Sequence, residues 1–202
     1  MQTAVAALAA YLLGSISLAI VVSRLMGLPD PRTYGSRNPG ATNVLRSGSR
    51  LAAALTLAGD TAKGWLAVWL VALTIGQGAA AGLDVPFAAL GVVLGHVFPL
   101  YHRFAGGKGV ATAAGALLGL DLWLGAATIA TWIAIAAFFR YASAASLVAA
   151  LFAPAYAWWL FGLRPVLPVV AAMALLIAWR HKDNIGRLVS GTESRIGERR
   201  AS

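Results

Sequence analysis

The sequence predicts an all-α integral membrane protein, a polytopic bundle of seven transmembrane helices with its N-terminus outside and its C-terminus in the cytoplasm. Of the 202 residues, 59% are hydrophobic and 11% are charged, and the mean hydropathy is +0.75. A soluble globular chain is roughly 25% charged, so this chain lacks the polar surface of a water-facing domain. Five uncharged stretches of 18 to 23 residues match the length of about 20 residues that a helix needs to cross a bilayer.

The first three spans follow from the positions of the charges. Residues 1–23 have no basic segment before the apolar run and continue into a basic loop, so we interpret them as an uncleaved first span and not a secretory signal. The second span lies within residues 51–83 and the third covers residues 85–102.

The second span carries Asp60 and Lys63, and charges in the hydrocarbon usually face a partner or a cavity. Their i, i+3 spacing allows them to pair; a structural ion pair and a role in positioning a cytoplasmic site are both open.

The fourth predicted span is short, and its assignment depends on orientation. The positive-inside rule places the arginine-rich first loop and the basic tail in the cytoplasm. Returning the tail to that side requires an even number of crossings after Lys108. Four spans meet this requirement: residues 109–121, 122–139, 142–163 and 165–180. A five-span bundle, in which another segment does not cross, has the same parity and is the alternative.

Two glycine pairs within the spans predict helix contacts. Gly91 and Gly95 are four residues apart, as are Gly115 and Gly119. Small residues let helix backbones approach closely in lipid. We therefore expect these glycines at helix–helix contacts and assign them no functional role.

Residues 1–202 are predicted to form one transmembrane domain whose polar segments lie on the cytoplasmic face. Residues 24–50, 102–109 and 180–202 hold 13 of the 16 basic residues. Orientation and attraction to anionic lipid explain part of this charge, and they explain the distal Arg199 and Arg200 as well as a binding site does. They do not explain the accompanying glycines, amides and hydroxyls, which favour a binding site.

The first polar segment contains the run GSRNPGATNVLR, from Gly35 to Arg46. Glycines flank hydroxyl and amide side chains in this run, and Pro39-Gly40 turns the chain. Such a composition disfavours a regular helix. It is typical of an ordered binding loop, with a solvated turn as the alternative.

The second polar segment, RFAGGKG from Arg103 to Gly109, leads directly into the fourth span. Glycines before a helix allow backbone N–H groups to converge on an anion, the helix dipole favours negative charge, and a lysine adds a full positive charge. The segment therefore predicts a phosphate cradle around Lys108. It is not a Walker A loop, because Gly109 stands where serine or threonine must bind magnesium.

The third polar segment places His181 and Asn184 on one helix face at i, i+3 spacing. Both side chains could point at a site beneath the bundle, and a role as helix caps or interface anchors is equally open.

The chain has no cysteine and only three histidines, so we expect no metal site and no cofactor. We also expect no nucleic acid partner, because the positive excess is juxtamembrane.

Together these motifs resemble the bacterial acyl-phosphate:glycerol-3-phosphate acyltransferases of the PlsY type. The resemblance covers nearly the whole chain. It rests on GSRNPGATNVLR at 35–46, DTAKG at 60–64, GHVFP at 95–99, FAGGKGVAT at 104–112, HKDNIGRL at 181–188 and GTE at 191–193. Two mild departures are Arg37, where the family often has glycine, and residues 17–19, which replace a common proline-containing run.

The resemblance implies transfer of a fatty acyl group from acyl phosphate to the 1-hydroxyl of glycerol 3-phosphate. The products are lysophosphatidic acid and phosphate, in the first acylation step of phospholipid biosynthesis. The implied protein is a multi-pass enzyme of the bacterial inner membrane with its active site facing the cytoplasm. Its implied partners are glycerol 3-phosphate, fatty acyl phosphate and membrane lipid, with a functional link to an enzyme that produces acyl phosphate.

Carried onto this sequence, the resemblance also implies the site residues. Arg46 and Lys108 would neutralise phosphates, and Ser36, His181 and Asn184 would hydrogen-bond glycerol 3-phosphate and aim its hydroxyl. The remaining substrate-binding residues would be Asn38, Gly40, Thr42, Asn43, Gly106, Gly107, Gly109, Glu193 and Arg195. Acyl phosphate has a good leaving group, so positioning suffices, no acyl-enzyme is required and Ser36 is assigned to binding. The proton acceptor stays open among His181, substrate phosphate and water.

Two other classes of function compete with this interpretation. Seven helices and the intramembrane Asp60 and Lys63 favour a small transporter or channel. Against it, the polar residues concentrate on one face, and we find no inverted repeat of the kind many transporters have. A non-catalytic lipid-binding scaffold explains the basic residues, but not the Gly-Gly-Lys-Gly run beside Ser36 and Asn184.

Overall fold

The computed structural model describes residues 2–75 and 82–198, and this part of the chain is helical with no strand. Its helices are α1 (Gln2–Gly14), α2 (Leu18–Leu25), α3 (Ala41–Val44), α4 (Arg50–Ile75), α5 (Asp84–Val97), α6 (Val110–Leu120), α7 (Leu122–Phe139), α8 (Ala142–Phe161), α9 (Val166–Arg180) and α10 (Lys182–Val189). Short 3₁₀ turns follow α3 and α5, at Leu45–Ser47 and Leu100–His102. The prediction of an all-α protein is confirmed for the described residues.

Four helical segments of the described chain are long and apolar enough to cross a membrane: Gln2–Leu25, Asp84–His102, Leu122–Phe139 and Ala142–Phe161. Two shorter apolar helices, α6 and α9, fall where the fourth and seventh spans are predicted. The 26-residue α4 falls within the predicted second span. A multi-pass membrane protein follows from these helices; the count of seven spans and the sides of the two termini stay predictions.

The predicted first span is two helices and not one. Helix α1 ends at Gly14 and α2 begins at Leu18. Ser15 stabilises the break, because its hydroxyl donates to the Tyr11 carbonyl at 2.9 Å and accepts the Leu100 N–H at 3.2 Å. The break therefore joins the end of α1 to the polar segment that follows α5.

The glycine pairs lie at helix contacts, as predicted. A Cβ at Gly91 or Gly95 of α5 would overlap a backbone carbonyl of α1. On α6, a Cβ at Gly115 would overlap a carbonyl of α4, and one at Gly119 would crowd Val68. Close backbone approach thus fixes the α1–α5 and α4–α6 pairs. Helices α7, α8 and α9 pack in chain order beside them, with α9 also against α5.

The short connection between α6 and α7 confirms the division of residues 109–139 into two helices. Asp121 lies between them with extended backbone, and its side chain accepts the Leu124 N–H at 2.9 Å. An aspartate in this position satisfies a free N–H group at the start of a helix. Asp121 thus begins a new helix, α7, and the chain can change direction between the two helices at this residue.

Candidate active site

The loop between α2 and α3 is ordered around the buried amide of Asn43. Its Oδ1 accepts the Ser36 N–H at 2.9 Å, and its Nδ2 donates to the carbonyls of Pro31 at 2.7 Å and Tyr34 at 3.3 Å. Both ends of the amide are therefore used within the loop. Asn43 holds the exposed Ser36 in place, which supports an ordered loop over a solvated turn.

The same loop contains two residues in the left-handed backbone region, Gly35 with φ +58° and Arg37 with φ +56°. Glycine adopts this region at lower cost than other residues, so Arg37 holds its backbone conformation at a conformational cost that Gly35 does not have. The predicted turn at Pro39-Gly40 is followed by α3, because the Gly40 carbonyl accepts the N–H groups of Asn43 and Val44 at 3.0 Å. The loop thus ends in one helical turn, which the sequence did not predict.

The glycine loop at residues 105–109 is anchored on both sides by backbone contacts. The Gly107 N–H donates to the His96 carbonyl at 3.1 Å. Arg180 donates from Nη2 to the Gly106 carbonyl at 3.0 Å and from Nε to the Gly107 carbonyl at 3.2 Å. A Cβ on Gly106 would overlap the His96 carbonyl, and one on Gly107 would overlap His96 Nε2. The Gly107 N–H is therefore engaged within the protein, and these glycines serve close packing.

Lys108 extends from this loop toward the third polar segment. Its ammonium donates to the Asn184 Oδ1. Burial lowers the pKa of Lys108 to about 8, with Arg187 and Arg180 acting in the same direction and Glu193 against it. Gly109, with φ +82°, then starts α6, whose first turn presents N–H groups and the positive end of the helix dipole. Lysine and helix terminus together form a site for an anion.

His181 is a buried, neutral hydrogen-bond acceptor. Its Nδ1 lies 2.8 Å from the Ile177 carbonyl. A carbonyl oxygen only accepts, so Nδ1 carries the proton and the lone pair is on Nε2. Burial and the nearby Lys108 lower the pKa of His181 to about 4. The imidazole is thus uncharged at neutral pH and able to accept a hydrogen bond from a hydroxyl.

Glu193 joins three side chains of the cluster through hydrogen bonds. Its Oε1 accepts the Ser143 hydroxyl at 2.7 Å and the Asn184 amide at 2.6 Å, and its Oε2 accepts Arg187 Nε at 2.6 Å. Burial raises the pKa of this carboxyl, but the three donors outweigh burial and hold the pKa below its usual value. Because Glu193 accepts the Asn184 amide, it turns the Asn184 carbonyl toward Lys108.

Arg46 joins the first segment to the tail that follows α10. Its Nη2 donates to the Ser194 hydroxyl at 3.0 Å, and its side chain lies beside Gly35. Arg195, the next residue, lies elsewhere: its Nε donates to the Tyr141 hydroxyl at 3.2 Å and its guanidinium covers the Tyr141 ring at 5.4 Å. The structure therefore brings Arg46 to the cluster but directs Arg195 toward the α7–α8 corner.

The predicted convergence of the three polar segments is seen in direct contacts between them. Arg46 contacts Ser194, Lys108 contacts Asn184, and Arg180 contacts the glycine loop. Of the other predicted binding residues, Asn38 is half-buried and Thr42 is exposed. Arg199 and Arg200, for which attraction to lipid and a binding role were equally open, lie outside the described residues.

Sequence reasoning missed three residues that build this cluster: Ser143, Arg180 and Arg187. Arg180 and Arg187 lie inside the third polar segment, where their charges were attributed to topology and lipid. Ser143 lies in the first turn of the apolar α8 and belongs to no motif; in the sequence its one signal is a hydroxyl three residues after Arg140. Residues 2–75 and 82–198 contain no group of three or more side chains that could hold a metal ion.

Glu193→Gln should loosen the segment from Gly191 to Glu198. Glutamine offers one acceptor oxygen where the carboxylate offers two, and it removes the charge that Arg187 contacts. We expect the Thr192 and Glu193 amides, which donate to the Arg187 carbonyl at 2.8 and 3.1 Å, to exchange with deuterium about 10-fold faster. The matched control is Glu198→Gln, because Glu198 is exposed and accepts the Arg195 N–H at 2.8 Å. Equal exchange in the two variants would contradict the central role of Glu193.

Comparisons with known proteins agree with one another. A family model described as glycerol-3-phosphate acyltransferase matches residues 4–191. Relatives named glycerol-3-phosphate acyltransferase from Ralstonia nicotianae and Burkholderia pseudomallei are each 58% identical, covering 98% and 99% of this chain and 96% and 98% of their own. The crystal structure of PlsY (YgiH), an integral membrane glycerol 3-phosphate acyltransferase in its glycerol 3-phosphate form, matches with TM-score 0.90 and 33% identity over 98% of this chain and 96% of that one. Its lysophosphatidic acid form matches with TM-score 0.88 and 32% identity, over the same shares of the two chains.

Proposed function

This chain belongs to the glycerol-3-phosphate acyltransferase family, and we propose that it uses a fatty acyl phosphate as donor and releases lysophosphatidic acid and phosphate. It is an integral, multi-pass membrane enzyme. We place the reaction in the bacterial inner membrane, with the site on the cytoplasmic side and a donor supplied by an enzyme that makes acyl phosphate. The basic loops around the site support this orientation.

The observation that carries the proposal is a continuous chain of contacts between two cations from separate loops. Arg46 contacts Ser194, whose neighbour Glu193 holds Asn184, and Asn184 accepts from Lys108. Two phosphate-bearing substrates need two cationic groups close together, because each phosphate carries about two negative charges at neutral pH. Arg46 and Lys108 supply them. The α6 N-terminus assists Lys108, in place of the Gly107 N–H that the sequence suggested.

Direct transfer between the two substrates fits the side chains present. Among the described residues, no serine hydroxyl hydrogen-bonds to a histidine, so the site offers no serine nucleophile activated by a base. The 1-hydroxyl of glycerol 3-phosphate forms the new bond to the acyl carbon, the carbon–oxygen bond to phosphate breaks, and the hydroxyl proton passes to phosphate or water. Holding two reactants in line supplies about 7–11 kcal/mol of the barrier reduction.

The proposed roles are of two kinds: some residues neutralise phosphate charge and others orient glycerol 3-phosphate. Arg46 and Lys108 bind phosphoryl oxygens, while Ser36 and Asn184 hydrogen-bond glycerol 3-phosphate. Neutral His181 accepts the hydrogen bond of the 1-hydroxyl on Nε2. Its pKa of about 4 makes it a weak base, which favours phosphate or water as the final proton acceptor. Asn43 and Glu193 act by positioning Ser36 and Asn184.

The direct test offers the purified protein, in lipid or detergent, glycerol 3-phosphate with palmitoyl phosphate or palmitoyl coenzyme A. Mass spectrometry follows lysophosphatidic acid. Product from palmitoyl phosphate alone supports the proposed donor. Product from the thioester alone would assign a different donor, and no product from folded protein would favour transport or lipid binding.

The pH profile should report Lys108. Its pKa is lowered to about 8, so the ammonium loses its proton as pH rises through this value, while the substrate phosphates are already ionised above a pKa of about 6. We expect kcat/KM to be level near pH 7 and to fall above about pH 8, because kcat/KM reports groups of the free enzyme. In Lys108→Arg the guanidinium stays charged, so the alkaline fall of the residual activity should disappear. A wild-type profile level to pH 10 would contradict this assignment.

A further inference from the structure

Directly beneath the glycine loop lies a buried group of polar side chains that the proposed reaction does not use. We call it the polar hub: Asp60 and Lys63 of α4, His96 of α5 and Thr112 of α6. All four are buried, with exposures of 2%, 4%, 8% and 0%. The predicted pairing of Asp60 and Lys63 is confirmed, because Lys63 Nζ lies 2.8 Å from Asp60 Oδ1.

Lys63 contacts three polar groups within the protein, one of them the Asp60 carboxylate as an ion pair. Besides Asp60, its ammonium lies 3.0 Å from His96 Nδ1 and donates to the Ile16 carbonyl at 2.7 Å. An ammonium cannot accept a hydrogen bond, so His96 Nδ1 is the acceptor and the ring proton is on Nε2. Ile16 lies in the break between α1 and α2. One side chain therefore ties that break to α4 and α5.

The hub contacts the chain on both sides of Lys108. Before it, Gly107 lies against the His96 ring and donates its N–H to the His96 carbonyl at 3.1 Å. After it, the Thr112 hydroxyl in the first turns of α6 lies 3.1 Å from His96 Nδ1. The position of the Lys108 backbone relative to α5 is thus set by His96, and the position of His96 by Lys63.

Stability alone does not account for this arrangement. Replacing both members of a buried ion pair by uncharged groups of similar volume is often neutral or stabilising, whereas removing one member leaves an uncompensated charge. A buried ion pair is therefore weak evidence of a stabilising role. What the hub supplies in addition is a fixed geometry between three helices, the break between α1 and α2, and the loop that carries Lys108.

We propose that Asp60, Lys63 and His96 are positioning residues that hold the glycine loop and Lys108 in the geometry required for phosphate binding and acyl transfer. The inference rests on the proposed function, in which Lys108 binds a substrate phosphate. The hub does not touch substrate. It acts through Gly107 and Thr112, which flank Lys108.

The test is the double variant Asp60→Asn/Lys63→Met, which removes both charges with little change in volume. We expect its thermal unfolding temperature in detergent to equal or exceed that of the wild type, while kcat/KM falls about 10- to 100-fold, the scale of an ångström-level misplacement. In the same variant the KM for glycerol 3-phosphate should rise and the affinity for inorganic phosphate should fall.

The matched control is Thr3→Val/Asp84→Asn. Thr3 donates to Asp84 at the opposite end of the α1–α5 pair, so this double variant also removes a polar contact between those helices, far from the glycine loop. It should retain wild-type kcat/KM. An unchanged kcat/KM in the Asp60→Asn/Lys63→Met variant would overturn the inference. A fall in kcat/KM that a lowered thermal unfolding temperature accounts for would overturn it as well. If the wild type binds phosphate but transfers no acyl group, the proposed function fails, and the phosphate affinities of the variants still decide the inference.

Discussion

Lys108→Ala should lower kcat/KM for acyl transfer by about 10²- to 10³-fold, the usual cost of losing a group that stabilises transition-state charge. The half-buried Lys108 contacts the Asn184 carbonyl through its ammonium, so the variant loses a phosphate ligand and one of the links between the third polar segment and the glycine loop, while the Arg180 contacts remain. Steady-state rates with glycerol 3-phosphate and palmitoyl phosphate, followed by mass spectrometry, measure the effect. Thermal unfolding should change little, because alanine leaves no charge buried.

The control for Lys108→Ala is Lys182→Ala. Lys182 begins α10 close to His181, is exposed, and carries the same charge. Exposed charges contribute little to local energetics because solvent screens them. We therefore expect less than about a twofold change in kcat/KM for Lys182→Ala. Similar losses in the two variants would mean that net charge, and not the placement of Lys108, determines activity.

Gly107→Ala should reduce kcat/KM by about 100-fold, because a displacement of about 1 Å in a positioning element has this cost. The added Cβ would overlap His96 Nε2 and lie 2.9 Å from the Pro39 carbonyl and 3.0 Å from His96 Cδ2. The Pro39 carbonyl and the buried His96 ring cannot both move away from the added Cβ. The glycine loop must therefore shift, and Lys108 shifts with it. Kinetics and thermal unfolding in the same detergent separate a displaced loop from an unfolded protein.

Gly186→Ala provides the matched control for that substitution. Gly186 lies in α10 beside the same cluster, and a Cβ there meets no atom within 4 Å. Alanine also has the higher helix propensity, by about 1 kcal/mol. We expect wild-type kcat/KM and unchanged or slightly higher stability. Activity lost equally in both variants would show that the glycine loop is not specially constrained.

Much of the fold could be predicted because apolar helices and their ends are encoded locally. Uncharged stretches predicted most of the apolar helices of the described chain, and the even number of crossings that the basic tail requires predicted the division of α6 from α7, which the contact of Asp121 with Leu124 confirms. The break within the first span was missed. Ser15 and Ile16 are ordinary residues in an apolar run, and the contacts that stabilise the break come from Leu100 and Lys63.

Hydropathy, charge and motif are properties of consecutive residues, so an all-helical membrane protein, the family and the three polar segments could be predicted from them. Which side chains contact one another depends on how the helices pack. Lys108 and Asn184 are 76 positions apart and Arg46 and Ser194 are 148 apart, so their contacts depend on helix packing. The same packing assigned Asn43 to its own loop, directed Arg195 toward Tyr141 and placed Glu193 at the centre of the third segment. A hydrogen bond forms only between atoms about 3 Å apart, and that distance is set by the whole bundle.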